Sequence, residues 1–262
     1  MSVFNSKQFE WLHWLDSCSS TNTWAIAHLT SLNDGDVIFT QRQTAGKGQN
    51  GRIWYSPPGV LTASFILDQI PAVHLPALSL AAGLAVIYAI EELLPNWQGI
   101  LRLKWPNDIL VDGRKLAGIL SEACSSGATS RVVVGIGLNR CVNFDRAGLD
   151  SSTIGHAVSL HQVYSMVPDE LVLLTHLRHY LLQTAGLLRL ERENTTLSAL
   201  LPAIRSHDAL LGHSITVDLG EEEVSGIAAG ISDRGHLLLR LPNGEVRSFV
   251  AGHVIWHNRY LR

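Results

Sequence analysis

From residue 78 to residue 94 the chain places Leu, Ala, Val and Ile at almost every position, and Pro95 follows. Apolar residues recurring at helical spacing over that length predict a buried helix closed by the proline. A second amphipathic pattern, 169–192, predicts another long helix. Short apolar, β-branched runs predict strands at 37–41, 61–67, 101–105, 109–111, 115–122 and 131–138. Asp112-Gly113 separates two of these runs and predicts a tight hairpin, since such a turn needs positive φ at both central residues. The segment 139–153 is polar and reads as a mobile loop.

The pattern changes near Gly212. Short strands are expected at 214–219, 224–230, 236–241 and 246–250, with turn signals at Asp233-Arg234-Gly235 and Pro242-Asn243-Gly244. So many short strands in about fifty residues predict a small β-barrel. The reading is therefore α+β: a domain at 1–208 built on a sheet and helices, and a small barrel domain at 209–262.

Composition narrows the function. The 262 residues suit a domain of this size with a small appendage, and 46% are hydrophobic, enough for a real core. A formal net charge of −3 and the lack of any Lys/Arg run argue against nucleic acid or a membrane surface as partner. Residues 1–14 lack the basic and apolar regions of a signal peptide, and no run of eighteen apolar residues stands out as a membrane span. Cys18, Cys124 and Cys141 are odd in number and far apart, as reduced thiols would be. These features together lead to the expectation of a cytoplasmic protein.

Chemistry first shows at Gly46, Gly48 and Gly51, which fit G-x-G-x-x-G after a strand. A dinucleotide turn must open a helix, and Ile53-Trp54-Tyr55-Ser56-Pro57-Pro58-Gly59 cannot supply one. Lys47 is followed by Gly48, so the phosphate loop of nucleotide triphosphatases fails too. What remains is a flexible glycine loop carrying Lys47 and Arg52. It is either a solvated surface loop or a cradle for phosphate or carboxylate.

Further polar runs lie at Ser19-Ser20-Thr21-Asn22, Lys104-Trp105-Pro106-Asn107-Asp108, Gly113 to Leu120 and Gly135 to Asn139. Singly, each has a bland explanation: a helix cap, turn residues, a solvated hairpin lysine. Together with Gln43 to Gly48 and Gly51 to Trp54, in this order and at this spacing, they resemble the biotin–protein ligase family. The resemblance covers residues 15–140 closely and the terminal barrel loosely. Lys-Trp-Pro-Asn-Asp followed by Lys-Leu-Ala-Gly-Ile-Leu is its most specific part.

The resemblance implies a fold: a mixed sheet with helices on one face, like the catalytic core of class II aminoacyl-tRNA synthetases, followed by a barrel like a Src-homology-3 domain. It also implies a reaction. ATP and biotin give biotinyl-5'-adenylate, and biotin then passes to a lysine of a biotin carboxyl carrier protein, that of acetyl-CoA carboxylase. In this reading Ser20, Thr21, Asn22, Gln43, Lys47, Gly48, Gln49 and Lys115 bind biotin. Arg52, Trp54, Lys104, Asn107, Asp108 and Asn139 bind ATP or the adenylate, and Mg²⁺ arrives with ATP near Asp108. Lys115, Lys47 and Arg52 act in catalysis. The chemistry suits those residue types, because a neutral ureido ring calls for uncharged donors and acceptors and two repelling anions call for cations. Whether the protein is a monomer or homodimer is left open.

The chain departs from the family's usual Gly-Arg-Gly-Arg-x-Gly: it reads Gly46-Lys47-Gly48-Gln49-Asn50-Gly51. Arg140 is a candidate to supply the missing charge. About fourteen residues precede the matched region, too few for a winged helix-turn-helix, so no repressor function is expected. His176 and His179, and His253 and His257, are read as ordinary helix and barrel residues. A lipoate–protein ligase and a non-catalytic biotin-binding protein are the alternatives. The first lacks the Lys-Trp-Pro-Asn-Asp run; the second would need no nucleotide cations.

Overall fold

The computed structural model describes residues 9–124, 128–147, 155–190 and 197–256. Most of the expected loop beyond residue 147, the last two residues of the 169–192 helix, His257 and residues 1–8 lie outside them. Seven strands form one sheet: β1 (Leu12–Leu15), β2 (Val37–Thr40), β3 (Val60–Pro71), β4 (Arg102–Lys104), β5 (Asp108–Val111), β6 (Arg114–Ala123) and β7 (Thr129–Asn139). Their order is β1-β2-β3-β7-β6-β5-β4. The β1–β2 pair is parallel and the other pairs are antiparallel, so the sheet is mixed.

Alternation along the two central strands decides what each face carries. Leu61, Ala63, Phe65 and Leu67 of β3, with Val132, Val134, Ile136 and Leu138 of β7, join the main core. Two long helices cover that face, Leu75–Leu93 and Glu170–Leu190, and they pack on each other. Each fully buried leucine or isoleucine there contributes roughly 1.5–3 kcal/mol. The first helix with its lead-in, Ala72–Leu93, is long and apolar enough to cross a membrane by length and composition. This corrects the expectation that no such run exists. The helix is apolar all round because sheet, second helix and barrel surround it, leaving residues such as Leu84, Val86 and Ile87 fully buried.

The expectation of helices on one face also needs correction. A short helix, Thr21–Ala27, lies on the other face, where Ala25 packs with Ile38, Ile66 and Val133. Ser20 caps it, accepting from the Thr23 amide at 3.4 Å. The Asp112-Gly113 hairpin forms as expected, with φ of 50° and 75° at its two residues.

The C-terminal unit is a five-stranded antiparallel sheet: β8 (Ser214–Asp218), β9 (Glu223–Ile231), β10 (Leu237–Arg240), β11 (Val246–Phe249) and β12 (His253–Ile255), in the order β11-β10-β9-β8-β12. Its inward residues, among them Val217, Leu239, Phe249 and Val254, continue the main core. The turn at Gly235 seats it. Gly235 has φ 77°, a Cβ there would come within 2.9 Å of Ala77 Cβ, and its carbonyl accepts from the buried Trp105 indole at 3.1 Å. Residues 207–209 run beside β4: Leu103 donates to the His207 carbonyl at 2.7 Å, and Ala209 donates to the Leu103 carbonyl at 3.0 Å.

Candidate active site

The face of the sheet away from the long helices has a floor made of backbone. Gly118, Gly135 and Gly137 occupy alternate positions on β6 and β7, register partners in the case of Gly118 and Gly137. A Cβ on Gly135 would fall 2.4 Å from Asn22 Oδ1, and one on Gly137 would fall 2.3 Å from the Trp54 ring. Only glycine lets those two side chains lie so close to the strands.

One end of the cavity is uncharged and tightly wired. Asn22 donates to Glu122 Oε2 at 2.7 Å and to the Leu120 carbonyl at 3.2 Å, and accepts from Ser64 Oγ at 2.5 Å. Ser64 Oγ also lies 2.7 Å from Thr21 Oγ1. Gln43 accepts from the Thr21 amide at 2.9 Å and donates to Ser56 Oγ at 3.2 Å. Ser20, Thr21, Asn22 and Ser64 are all buried. A buried network with its groups satisfied holds its members in fixed positions.

The other end is cationic. Antiparallel pairing of β4, β5 and β6 sets Lys104 opposite Asp108 and brings Lys115 near both. Lys115 Nζ is 2.5 Å from Asp108 Oδ1 and 5.4 Å from the centre of the Trp54 ring. Burial pushes the Lys104 ammonium below its ordinary pKa, with Lys115 and Arg52 adding repulsion against the attraction of Asp108. Asn107 donates to the Ile119 carbonyl at 2.6 Å and locks the turn after β4 against β6.

The glycine loop closes this end as a self-paired hairpin. Gly48 donates to the Arg52 carbonyl at 2.8 Å, Trp54 donates to the Gly46 carbonyl at 3.0 Å, and a single 3₁₀ turn spans Gln49–Gly51. The Trp54 indole N–H is buried with no protein partner.

Ser20, Thr21, Asn22, Gln43, Lys47, Gly48, Gln49, Arg52, Trp54, Lys104, Asn107, Asp108 and Lys115 all line this single cavity. Asn139 does not. It is buried and donates to the Lys115 carbonyl at 3.2 Å, so it supports Lys115 from the next strand. Arg140 is also displaced from the place expected for it: its guanidinium donates to the Pro168 carbonyl at 2.8 Å and faces Asp169 at 3.8 Å. It supplies no charge to the cavity.

Sequence reasoning missed Thr62, Ser64, Trp105 and His253. The first two had a signal, since polar Thr62 and Ser64 alternate with Leu61, Ala63 and Phe65 and so share one strand face. His253, read as an ordinary barrel residue, belongs to β12 and also lines the cavity. Its Nδ1 is 3.1 Å from Arg52 Nη1. Burial first, then Arg52 and Lys104, push its pKa below the ordinary histidine value, with Asp218 and Asp108 opposing.

Comparison with known proteins gives a consistent result. Residues 14–139 match the model of the biotin/lipoate A/B protein ligase family, and residues 210–255 match that of the biotin protein ligase C terminal domain. The chain is 33% identical to the biotin--[acetyl-CoA-carboxylase] ligase of Mycobacterium tuberculosis over 242 residues, 90% of this chain and 85% of the relative. It is 31% identical to the enzyme of the same name from Paracoccus denitrificans, across 86% of this chain and 92% of that one. The structure of the Aquifex aeolicus biotin protein ligase in complex with biotin and ATP superposes with a TM-score of 0.78 at 26% identity, covering 94% of this chain and 98% of the other.

Proposed function

The chain belongs to the biotin protein ligase family, and from that membership we propose how its cavity works: biotin and ATP react there to give biotinyl-5'-adenylate, and biotin then passes to a lysine of the carrier protein of acetyl-CoA carboxylase. One observation carries the assignment of roles. Four cations, Lys47, Arg52, Lys104 and Lys115, line a cavity in which Asp108 is the single carboxylate among the described residues, in a chain whose net charge is −3. Concentrated positive charge beside a neutral polar pocket fits two anions that must meet next to an uncharged ring.

In this reading the ureido ring of biotin meets Ser20, Thr21, Asn22 and Gln43, with Gly48 and Gln49 at the loop. The acid group points along the glycine floor to Lys115, and Lys47 closes over it. A carboxylate oxygen attacks the α-phosphorus, and pyrophosphate leaves with the electron pair of the broken P–O bond. Lys115, Lys104 and Arg52 carry the charge that builds up on the phosphate oxygens. Trp54 offers its ring and its unpartnered N–H to the nucleotide, and Asn107 borders it. In the second step the neutral lysine amine of the carrier attacks the acyl carbon, and AMP departs as the amide forms.

Magnesium has a limited place in this site. Among the described residues Asp108 is the cavity's one carboxylate, and it is already paired with Lys115. Among the described residues no group of three His, Cys, Asp or Glu could hold a metal. The residues thus fit a cation delivered by the triphosphate, with Asp108 at its edge, where it would offset phosphate charge.

The test is pyrophosphate release from biotin and ATP, followed by the mass of one biotin on added carrier protein. Release without transfer would limit the chain to the first step. No release with biotin but release with lipoate would move it to the lipoate branch of the family.

A further inference from the structure

His253 comes from the barrel, 201 residues from Arg52, yet the two side chains meet at the mouth of the cavity at 3.1 Å. The chemistry of that contact is one-sided. A guanidinium has only donors, so Arg52 Nη1 can bond to His253 Nδ1 only if that nitrogen carries a lone pair. The contact therefore requires a neutral imidazole with its proton on Nε2. An imidazolium has no acceptor and would set a second positive charge against Arg52.

The surroundings favour the neutral form. Arg52 and Lys104 are the cations facing His253, Asp218 on β8 and Asp108 on β5 are the opposing carboxylates, and burial together with the cations outweighs the carboxylates. The position of His253 is also fixed from behind. Its residue pairs with Asp218 in the β12–β8 ladder, and neighbouring Val254 is buried in the core that the barrel shares with the catalytic unit.

We propose that His253 is a positioning residue: as a neutral acceptor on the docked barrel it holds the Arg52 guanidinium over the cavity, ready for nucleotide phosphate. The inference rests on the assignment of Arg52 to the nucleotide and extends it to the barrel. It gives the barrel a stated part in the first reaction, acting through one hydrogen bond on a loop that glycines would otherwise leave loose. It also sets a lower pH limit for nucleotide binding, because the contact is present above the pKa of His253 and is lost as pH falls through it.

The test measures ATP binding by titration calorimetry and the KM for ATP in pyrophosphate release, at several pH values, for the unmodified protein and variants. His253→Ala is expected to weaken ATP binding and raise its KM roughly five- to tenfold, the size of one ordinary hydrogen bond made at an exposed position, with kcat changed less. His253→Gln, which retains an acceptor oxygen and does not titrate, is expected to restore most of the affinity and to abolish the loss of affinity at acid pH. In an Arg52→Ala background, His253→Ala should add nothing further, because the two act as one unit. Unchanged ATP affinity in His253→Ala, an acid limb that persists in His253→Gln, or additive effects in the double variant would overturn the inference. If the unmodified protein releases no pyrophosphate, the functional reading fails instead, and the calorimetric arm still reports on His253. Melting temperatures within about two degrees of the parent would show that the variants fold.

Discussion

The two ends of the cavity are built differently. The uncharged end stands on sheet and helix cap: Asn22, Thr21 and Ser64 are buried, bonded to one another, and rest against glycine backbone. The cationic end is assembled from a loop, a hairpin and a barrel strand, and Lys47 and Arg52 are exposed. A neutral ring is recognised by unpaired hydrogen bonds avoided, so its site must be rigid and dry. Phosphates are recognised by charge, which tolerates looser geometry and has to let a product out. If this contrast is correct, damage to the two ends should differ in kind as well as in size.

The largest effect is expected from Lys115→Ala. Adenylate formation should fall about a hundredfold or more through kcat, as on removal of a group that stabilises transition-state charge, while biotin binding falls much less. Near-normal turnover in a rapid-quench assay would break the assignment of the cationic end. Asn22→Ala comes next. It removes the bonds Asn22 makes to Glu122 and Ser64, leaves Ser64 with Thr21 alone, and should weaken biotin binding by about 1–3 kcal/mol with little change in ATP affinity. Equal losses for both ligands by calorimetry would erase the distinction between the two ends.

Gly137→Ala tests the boundary between them. The added methyl group meets the Trp54 ring, and the expected cost is about 1–3 kcal/mol, visible as a lower melting temperature and weaker ATP binding. The smallest effect is one of pH. Burial lowers the Lys104 pKa, so its charge is lost before that of an ordinary lysine as pH rises, and ATP affinity should fall a few-fold over that range. Fold stability should move the other way. A depressed lysine pKa means the folded state binds fewer protons, so this group's contribution improves as pH rises and is lost as pH falls through the folded value. Lys104→Arg keeps its charge and should remove the alkaline limb; a limb unchanged in that variant would assign it to another group.

Much of this was legible in the sequence, because the chemistry is carried in short contiguous runs. Ser20 to Asn22, Lys104 to Asp108 and Gly113 to Leu120 each sit at the end of one local element, and the Asp112-Gly113 turn brings the last two together without long-range help. The long helices and the central strands were legible because burial on one or both faces leaves a clear period. The strand Leu12–Leu15 was not, since four residues with mixed burial are held mainly by parallel pairing to β2. The same holds for His253 and Arg140. What each side chain meets is decided by docking of distant segments, and nothing within a few residues of either one reports it.

The glycine floor has a consequence for anyone wishing to make this protein accept bulkier vitamin analogues. Enlarging a binding site usually means trimming what touches the ligand, but at Gly118, Gly135 and Gly137 nothing remains to trim, and the main chain itself is the wall. Extra room would have to come from side chains instead, by shortening Trp54, which itself rests on Gly137, or Gln43. Tolerance for new substituents should therefore depend strongly on the point of attachment, generous toward the loop and absent toward the strands.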